Sequence, residues 1–379
     1  MPVTMQAQAL YDLSPLWRVL LVGAAVALLP LLWVFRRNRT STRRLQALTV
    51  LTLFLSFDLV LFGAFTRLTD SGLGCPDWPG CYGQSSPLEA HSQIASAQSA
   101  MPTGPVTHGK AWIEMLHRYL ATAVGGLILA LTLWHWRRRS QAPNAIESIS
   151  PWWPLGTLVW VCVQGAFGAL TVTMKLFPAI VTLHLLGGLL LLALLTVQAT
   201  SLSQNHEGRR PPEVTGAERG WVWSVLILVS LQSALGAWVS TNYAVLACAE
   251  FPKCQGAWWP LMDFSSGFTL WRELGMTADG KFLGFEALTA IHVVHRLFAL
   301  AVFVALVGLG WRLWRSVALH AQSRWLLALA AAQFATGLSN VVLGWPLASA
   351  VLHTGGAAAL VVVLVWTLNM CGSSQQGRA

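Results

Sequence analysis

Apolar residues run along this chain in blocks of about twenty, separated by short polar segments. The blocks at 16–35, 45–66, 112–136, 153–174, 178–200, 219–241, 287–313, 323–344 and 349–370 are each long enough to cross a bilayer as a helix. They predict an all-α, polytopic membrane protein with nine spans. Basic residues punctuate alternate connections: Arg36 to Arg44, Arg137 to Arg139, Arg209 and Arg210, then Arg312, Arg315 and Arg324. The other connections hold few. The positive-inside rule places the basic side in the cytoplasm. The first block ends in its basic cluster and shows no small-residue cleavage site, so it predicts an uncleaved helix with its N-terminus outside.

Composition supports the pattern. Hydrophobic residues make up 55% of the 379 and charged residues 10%, against about 25% charged in soluble domains. The net charge of +9 follows from the basic cytoplasmic loops, so nucleic acid is not expected as a partner.

The later eight blocks read as two groups of four. "GCPDWPGCYG" (74–83) matches "ACAEFPKCQG" (247–256) in its cysteines, an acid, a proline and a glycine. "FGAF" (62–65) matches "LGAW" (235–238), and "EMLHR" (114–118) matches "HVVHR" (292–296). "QGAFG" (164–168) then matches "QFATG" (333–337), and "LHLLGG" (183–188) matches "LHTGGA" (352–357). Five matches in one order predict two pseudo-symmetric four-helix halves related by an axis along the membrane normal. The divisions are 1–44 (extra helix and basic loop), 45–205 and 206–379.

The repeat brings four histidines into register. His117 and His184 in the first half, and His295 and His353 in the second, all follow within about 10 Å of the outer ends of their helices. Two imidazoles at one depth on different helices suit the two faces of a flat macrocycle, as in bis-histidine heme. Gly187, Gly188 and Gly356 leave room for a macrocycle edge, and Arg118 and Arg296, with Arg67, are candidates to hold its carboxylates. The clustered Cys/His spacing of a zinc site is absent. His135 and His320 read as interfacial; His91, His108 and His206 carry no clear signal.

Cys75 and Cys81, and Cys248 and Cys254, lie in outer loops of an oxidising compartment, and the spacing predicts disulfides Cys75–Cys81 and Cys248–Cys254. Both structural staples and labile redox bonds fit. Cys162 and Cys371 are expected to be free. The halves differ where Glu114 in the first stands opposite His292 in the second. An intramembrane carboxylate is costly and a functional candidate; the bland alternative is an ion pair with Arg118 or Arg67. The difference assigns the chemistry to the first half and a resident redox group to the second. Asp58, in mid-helix, is expected to bond a neighbouring helix. The outer loop from Thr241 to Glu286 carries Trp258 and Trp259, which fit either a cap over the second site or an interfacial aromatic belt.

With these motifs and "MDFSSGFTLWRELG" (262–275), residues 45–370 resemble the heme A synthases, membrane enzymes that convert heme O to heme A for cytochrome oxidases. The resemblance implies eight core helices in two halves, a heme B cofactor on His295 and His353, a heme O substrate framed by His117 and His184, and Glu114 as the catalytic acid. It implies oxidation of the C8 methyl to a formyl group through two hydroxylations. Ligation of the substrate iron by both histidines would leave no position for oxygen, so either one histidine releases or the methyl is oxidised by electron removal and water attack. The implied partners are a heme O synthase, oxidase assembly factors, an electron-transfer partner without a name and membrane lipid, in a bacterial inner membrane with the cysteine loops in the periplasm. A homo-oligomer is compatible with the chain, which presents no legible interface. The span at 16–35 departs from the family pattern. Two other classes compete: a di-heme b-type electron carrier, which leaves Glu114 unexplained, and a transporter, which would place its ionisable groups near the midplane.

Overall fold

A computed structural model describes residues 14–38, 40–141, 150, 152–207 and 215–371. The expected cytoplasmic cluster at Arg209 and Arg210, Arg39 of the first basic cluster and the first thirteen residues lie outside the described set. Eleven α-helices follow in chain order: α1 (Ser14–Arg37), α2 (Ser41–Leu68), α3 (His91–Ala100), α4 (His108–Gln141), α5 (Trp152–Thr173), α6 (Pro178–Glu207), α7 (Gly216–Thr241), α8 (Phe264–Gly267), α9 (Phe285–Trp314), α10 (His320–Val342) and α11 (Leu347–Met370). Among the described residues nine of these are long and apolar enough to span a membrane, matching the nine blocks.

The helices overrun the apolar blocks because polar residues complete their ends. Thr40 caps α2 by accepting from Arg43 N, and Thr215 with Glu218 forms a capping box on α7. The interior of α2 carries hydroxyls that donate one turn back, Thr49 to Leu45 O (2.9 Å), Thr52 to Leu48 O (2.8 Å) and Ser56 to Thr52 O (2.7 Å). These small polar residues thereby satisfy themselves in an apolar interior and let helices approach. The outward faces are the inverse of a soluble protein's: Leu21, Leu29, Leu133, Leu300 and Val304 are all more than half exposed, as lipid contact requires.

Helices α2, α4, α5 and α6 close one ring of four, and α7, α9, α10 and α11 a second. The rings meet where α6 packs on α7 and α11, and α2 on α11; Gly355 of α11 faces the Leu61 side chain there. Helix α1 lies outside both rings, against α4 and α2. Its Gly23 sits on Thr122 so closely that a Cβ would overlap that side chain. Helix α3, polar apart from a fully buried Ile94, gives no long apolar block and was not expected from one. Helix α10 ends at Val342, short of its block, because the chain turns through positive φ at Gly344 (68°) and Trp345 (65°). Asp58 departs from expectation: it is exposed on α2 and bonds no neighbouring helix, because its face of α2 points away from the rings.

Candidate functional site

Both cysteine loops fold the same way, and the matched residues explain why. Cys75–Cys81 and Cys248–Cys254 are disulfides. Each second cysteine begins a two-residue turn closed by a bridge, Cys81 to Gln84 and Cys254 to Ala257. The turn needs positive φ at both central residues, found at Tyr82 and Gly83 and at Gln255 and Gly256. The matched acid satisfies the turn's amides: Asp77 accepts from Tyr82 N (2.6 Å) and Gly83 N (2.7 Å), and Glu250 from Gly256 N. The peptides preceding Pro79 and Pro252 are both cis.

Beneath each loop an arginine gathers its carbonyls. Arg118 donates to Asp77 O (3.0 Å), Pro79 O (3.2 Å) and Gly80 O. Arg296 donates to Glu250 O (2.9 Å), Lys253 O (3.3 Å) and Cys248 O (2.7 Å). One turn earlier stands the residue that differs. Glu114, 4% exposed, pairs with Arg118 and accepts from Cys75 N at 2.7 Å. The ion-pair alternative for Glu114 is therefore present, with Arg118 rather than Arg67 as partner. His292 sits at the equivalent place, its Nδ1 3.0 Å from Ala244 O and its Nε2 3.1 Å from Arg296 Nε. Since the carbonyl can only accept, Nδ1 carries the proton and Nε2 accepts from the arginine. Both residues thus receive an arginine hydrogen bond and tie it to the outer loop; only the first brings a negative charge. Arg67 instead joins the two rings, donating to Ser240 O (2.7 Å) and lying over the Tyr243 ring at 4.2 Å. All three arginines line the central cavity while their hydrogen bonds go largely to backbone carbonyls.

That cavity, about 1740 Å³, runs through both rings and is lined by His117, His184, His295 and His353 as well as Glu114 and His292. The four paired imidazoles are half-buried, with their open sides on the cavity. Each faces a glycine on a neighbouring helix. A Cβ at Gly63, Gly168, Gly236 or Gly337 would lie 3.0, 3.5, 3.1 and 3.2 Å from Cε1 of His117, His184, His295 and His353 respectively. These glycines sit inside the repeated motifs, yet sequence alone gave them no partner. Their signal is the recurrence of one glycine at one register in four helices. Gly187 and Gly356 do not leave open space: Gln164 and Gln333 fill it. Gly188 does line the cavity.

The pairs differ in support. His353 Nδ1 lies 2.9 Å from Thr336 Oγ1, and that hydroxyl donates to Ala332 O at 2.8 Å. Thr336 therefore accepts from Nδ1–H, leaving Nε2 as the free lone pair. Gln232 Nε2 lies 3.0 Å from His295 Nδ1, and since an amide nitrogen only donates, Nδ1 accepts there. At the equivalent first-half positions stand Phe167 and Leu59, and the buried Nδ1 atoms of His117 and His184 find no protein partner. Sequence reading missed Gln232 and Thr336.

The remaining histidines lie elsewhere. His135, near the basic end of α4, is buried with Nδ1 2.9 Å from Leu131 O. His320 stacks on Trp314, and His91 and His108 face each other at 4.5 Å. The side chain of His206 is outside the described set. Among the described residues no three metal-binding side chains converge, so a metal held by a histidine pair must bring its remaining ligands with it. The loop after α7 is pinned by Trp238 Nε1 to Gly267 O (2.9 Å) and Arg272 to Asn242 Oδ1 (2.6 Å). Asp263 caps α8 there, and hydrogen bonds from Ser266 and Ser265 hold its carboxyl down to about 2. Trp258 lines the cavity and Trp259 is exposed.

A family model described as cytochrome oxidase assembly protein matches residues 46–365. The heme A synthase of Shewanella oneidensis is 37% identical over 319 residues, 84% of this chain and 94% of that protein. Those of Halalkalibacterium halodurans and Rhodospirillum centenum are 26% and 28% identical, each aligned over more than four-fifths of both chains. With its two rings and matched loops inside a match that spans residues 46–365, the chain belongs to the heme A synthase family of cytochrome oxidase assembly proteins.

Proposed function

We propose that this oxidoreductase is a heme A synthase, acting on heme O in the first ring with heme B held by His295 and His353 in the second. Two duplicated halves, 45–205 and 206–379, supply the two sites. The observation that carries the reading is the pairing of four histidines along one cavity, with one pair held through Nδ1 and the other not. Imidazoles lining a largely apolar cavity, each with a glycine beside the ring, suit a metal macrocycle, and the partnerless Nδ1 atoms of His117 and His184 suit a group that enters and leaves.

Turning the C8 methyl into a formyl group removes four electrons and adds one oxygen, from water or dioxygen. When bound, heme B supplies a one-electron redox centre close to the substrate. The protein's own contributions are clear in outline. His117 and His184 frame the macrocycle. Glu114 offers a carboxylate one turn from His117, held by Arg118 and Cys75 N, to steady positive charge developing on the ring or to take a proton. The disulfide loops cover the outer ends of both sites, and the apolar wall keeps water out. Arg118 and Arg296 line the cavity and hold the loops through their carbonyls, and each is our candidate to meet a macrocycle carboxylate.

The protein is multi-pass. We place its basic ends in the bacterial cytoplasm and the disulfide loops in the periplasm, with heme O arriving from its synthase and product passing to oxidase assembly. Co-expression with a heme O synthase, purification and identification of the extracted hemes by mass spectrometry tests the proposal. Heme B with heme A, or with a hydroxylated heme O, is expected. Heme B alone, with heme O plentiful in the membrane, would replace it by a di-heme electron carrier.

A further inference from the structure

The register of the two rings exposes a second difference, below the histidines. Along α4 the residues His117, Ala121, Gly125 and Leu129 form one ridge, each a turn from the last, and all four line the cavity. Their counterparts on α9 are His295, Ala299, Phe303 and Val307. On α5, Gly165 follows Gln164; on α10, Phe334 follows Gln333. So where the first ring has two glycines, the second has two phenylalanines, and these pack on each other with ring centroids 5.6 Å apart. A Cβ at Gly125 or Gly165 would meet nothing within 4 Å. On α5 the cavity reaches Leu158, one turn beyond Val161, whereas on α10 it stops at Ala330, the counterpart of Val161. Helix α1, which has no equivalent in the second ring, adds Leu20 and Ala24 to the wall.

We infer that the first ring carries a lateral groove between α1, α4 and α5, centred on Gly125 and Gly165, that takes the isoprenoid tail of a tailed heme, and that Phe303 with Phe334 bars such a tail from the second ring. The groove starts about 12 Å along α4 from His117 and is largely apolar, as a hydrocarbon chain requires. Each ring thereby selects its own macrocycle: tailed heme O in the first, tail-less heme B in the second. The extra helix α1 becomes part of the substrate site. The inference rests on the proposed function, since it needs heme O as substrate.

Cys162, one turn before Gly165 on α5, lines the same groove and is a free, exposed thiol. It gives a readout independent of turnover. In a Cys371→Ser background, purified from a host without heme O, alkylation of Cys162 by N-ethylmaleimide should slow at least five-fold with heme O present and change little with iron protoporphyrin IX. Equal protection by both hemes, or by neither while heme O binds, overturns the groove. Gly165→Phe and Gly125→Phe, co-expressed with a heme O synthase, should retain heme B and lose heme O and heme A at least ten-fold. The reciprocal Phe303→Gly/Phe334→Gly protein should gain heme O in its second ring. If wild type binds no heme O, the proposed function itself fails. If wild type binds it and the glycine variants bind it equally, only the groove fails.

Discussion

The first and second rings share a backbone plan and differ in how firmly they grip what lies between their histidines. In the second, Thr336 and Gln232 engage the imidazole Nδ1 atoms, a neutral His292 meets Arg296, and Phe303 stacks on Phe334. In the first, the Nδ1 atoms have no protein partner, a carboxylate meets the arginine in place of the neutral imidazole, and glycines replace the phenylalanines. Holding Nδ1 as a donor, as Thr336 does for His353, fixes the tautomer of a ligating histidine and strengthens it as a ligand. On the proposed function, retention falls to the second ring and exchange to the first.

The sharpest way to break that assignment is to remove the histidines one ring at a time. His295→Ala or His353→Ala should lower the heme B content of the purified protein more than ten-fold, measured by extraction and chromatography. His117→Ala or His184→Ala should leave heme B in place and abolish heme A formation. Equal loss of heme B from either ring would show that the rings do not divide the work.

Next in size is the charged pair. Glu114→Gln leaves Arg118 buried beside a neutral amide, and breaking a buried ion pair costs about 3–5 kcal/mol. His292→Gln exchanges one neutral partner of Arg296 for another and should cost about 1 kcal/mol. Thermal unfolding with heme B bound reports both. Glu114→Gln should also stop turnover while His292→Gln keeps most of it. A Glu114→Gln protein that melts like wild type would deny the carboxylate its structural share.

The disulfides come third. Each closes a loop with a sequence separation of 6, for which chain entropy gives about 2 kcal/mol in either ring. Only the first, however, carries the backbone N–H that holds Glu114. Replacing Cys75 and Cys81 by Ser should therefore lower both melting temperature and turnover, whereas the same change at Cys248 and Cys254 should lower mainly the melting temperature. Equal loss of turnover, restored in neither case by stabilising conditions, would favour a redox role for both.

What the sequence shows and hides follows from the range of each interaction. The nine spans are legible because apolar length is a local property, and α10 fell short of its block only through the turn at Gly344. The loops are legible as a repeat because cysteine, acid, proline and glycine are each demanded by one tight turn. The four histidines come into register for the same reason. The glycines facing them are not legible as partners, because a contact between helices carries no trace in either helix alone. Gly187 was misread in the same way: a missing side chain says that something is close, and only the structure shows Gln164 there. Gln232 and Thr336 lie on helices other than those of the histidines they support, so no local spacing announces them. Helix α1 stands outside the repeat, so the repeat could not say which ring it serves.

The smallest effect tests the support of the histidines directly. Thr336 Oγ1 accepts from His353 Nδ1–H because its own hydrogen is spent on Ala332 O. Thr336→Val keeps the shape of the side chain and removes the acceptor. One hydrogen bond is worth about 1 kcal/mol net, so heme B should dissociate about five-fold faster, and its midpoint potential should rise as the imidazole loses electron-donating power. The reciprocal change, Phe167→Thr in the first ring, should give His184 an acceptor where it has none and slow the release of bound heme from that ring. Stopped-flow transfer of heme to apomyoglobin measures both rates. If Thr336→Val releases heme B at the wild-type rate, the second ring owes its grip to packing by Phe303 and Phe334 rather than to a fixed imidazole, and the difference between the rings is one of volume alone.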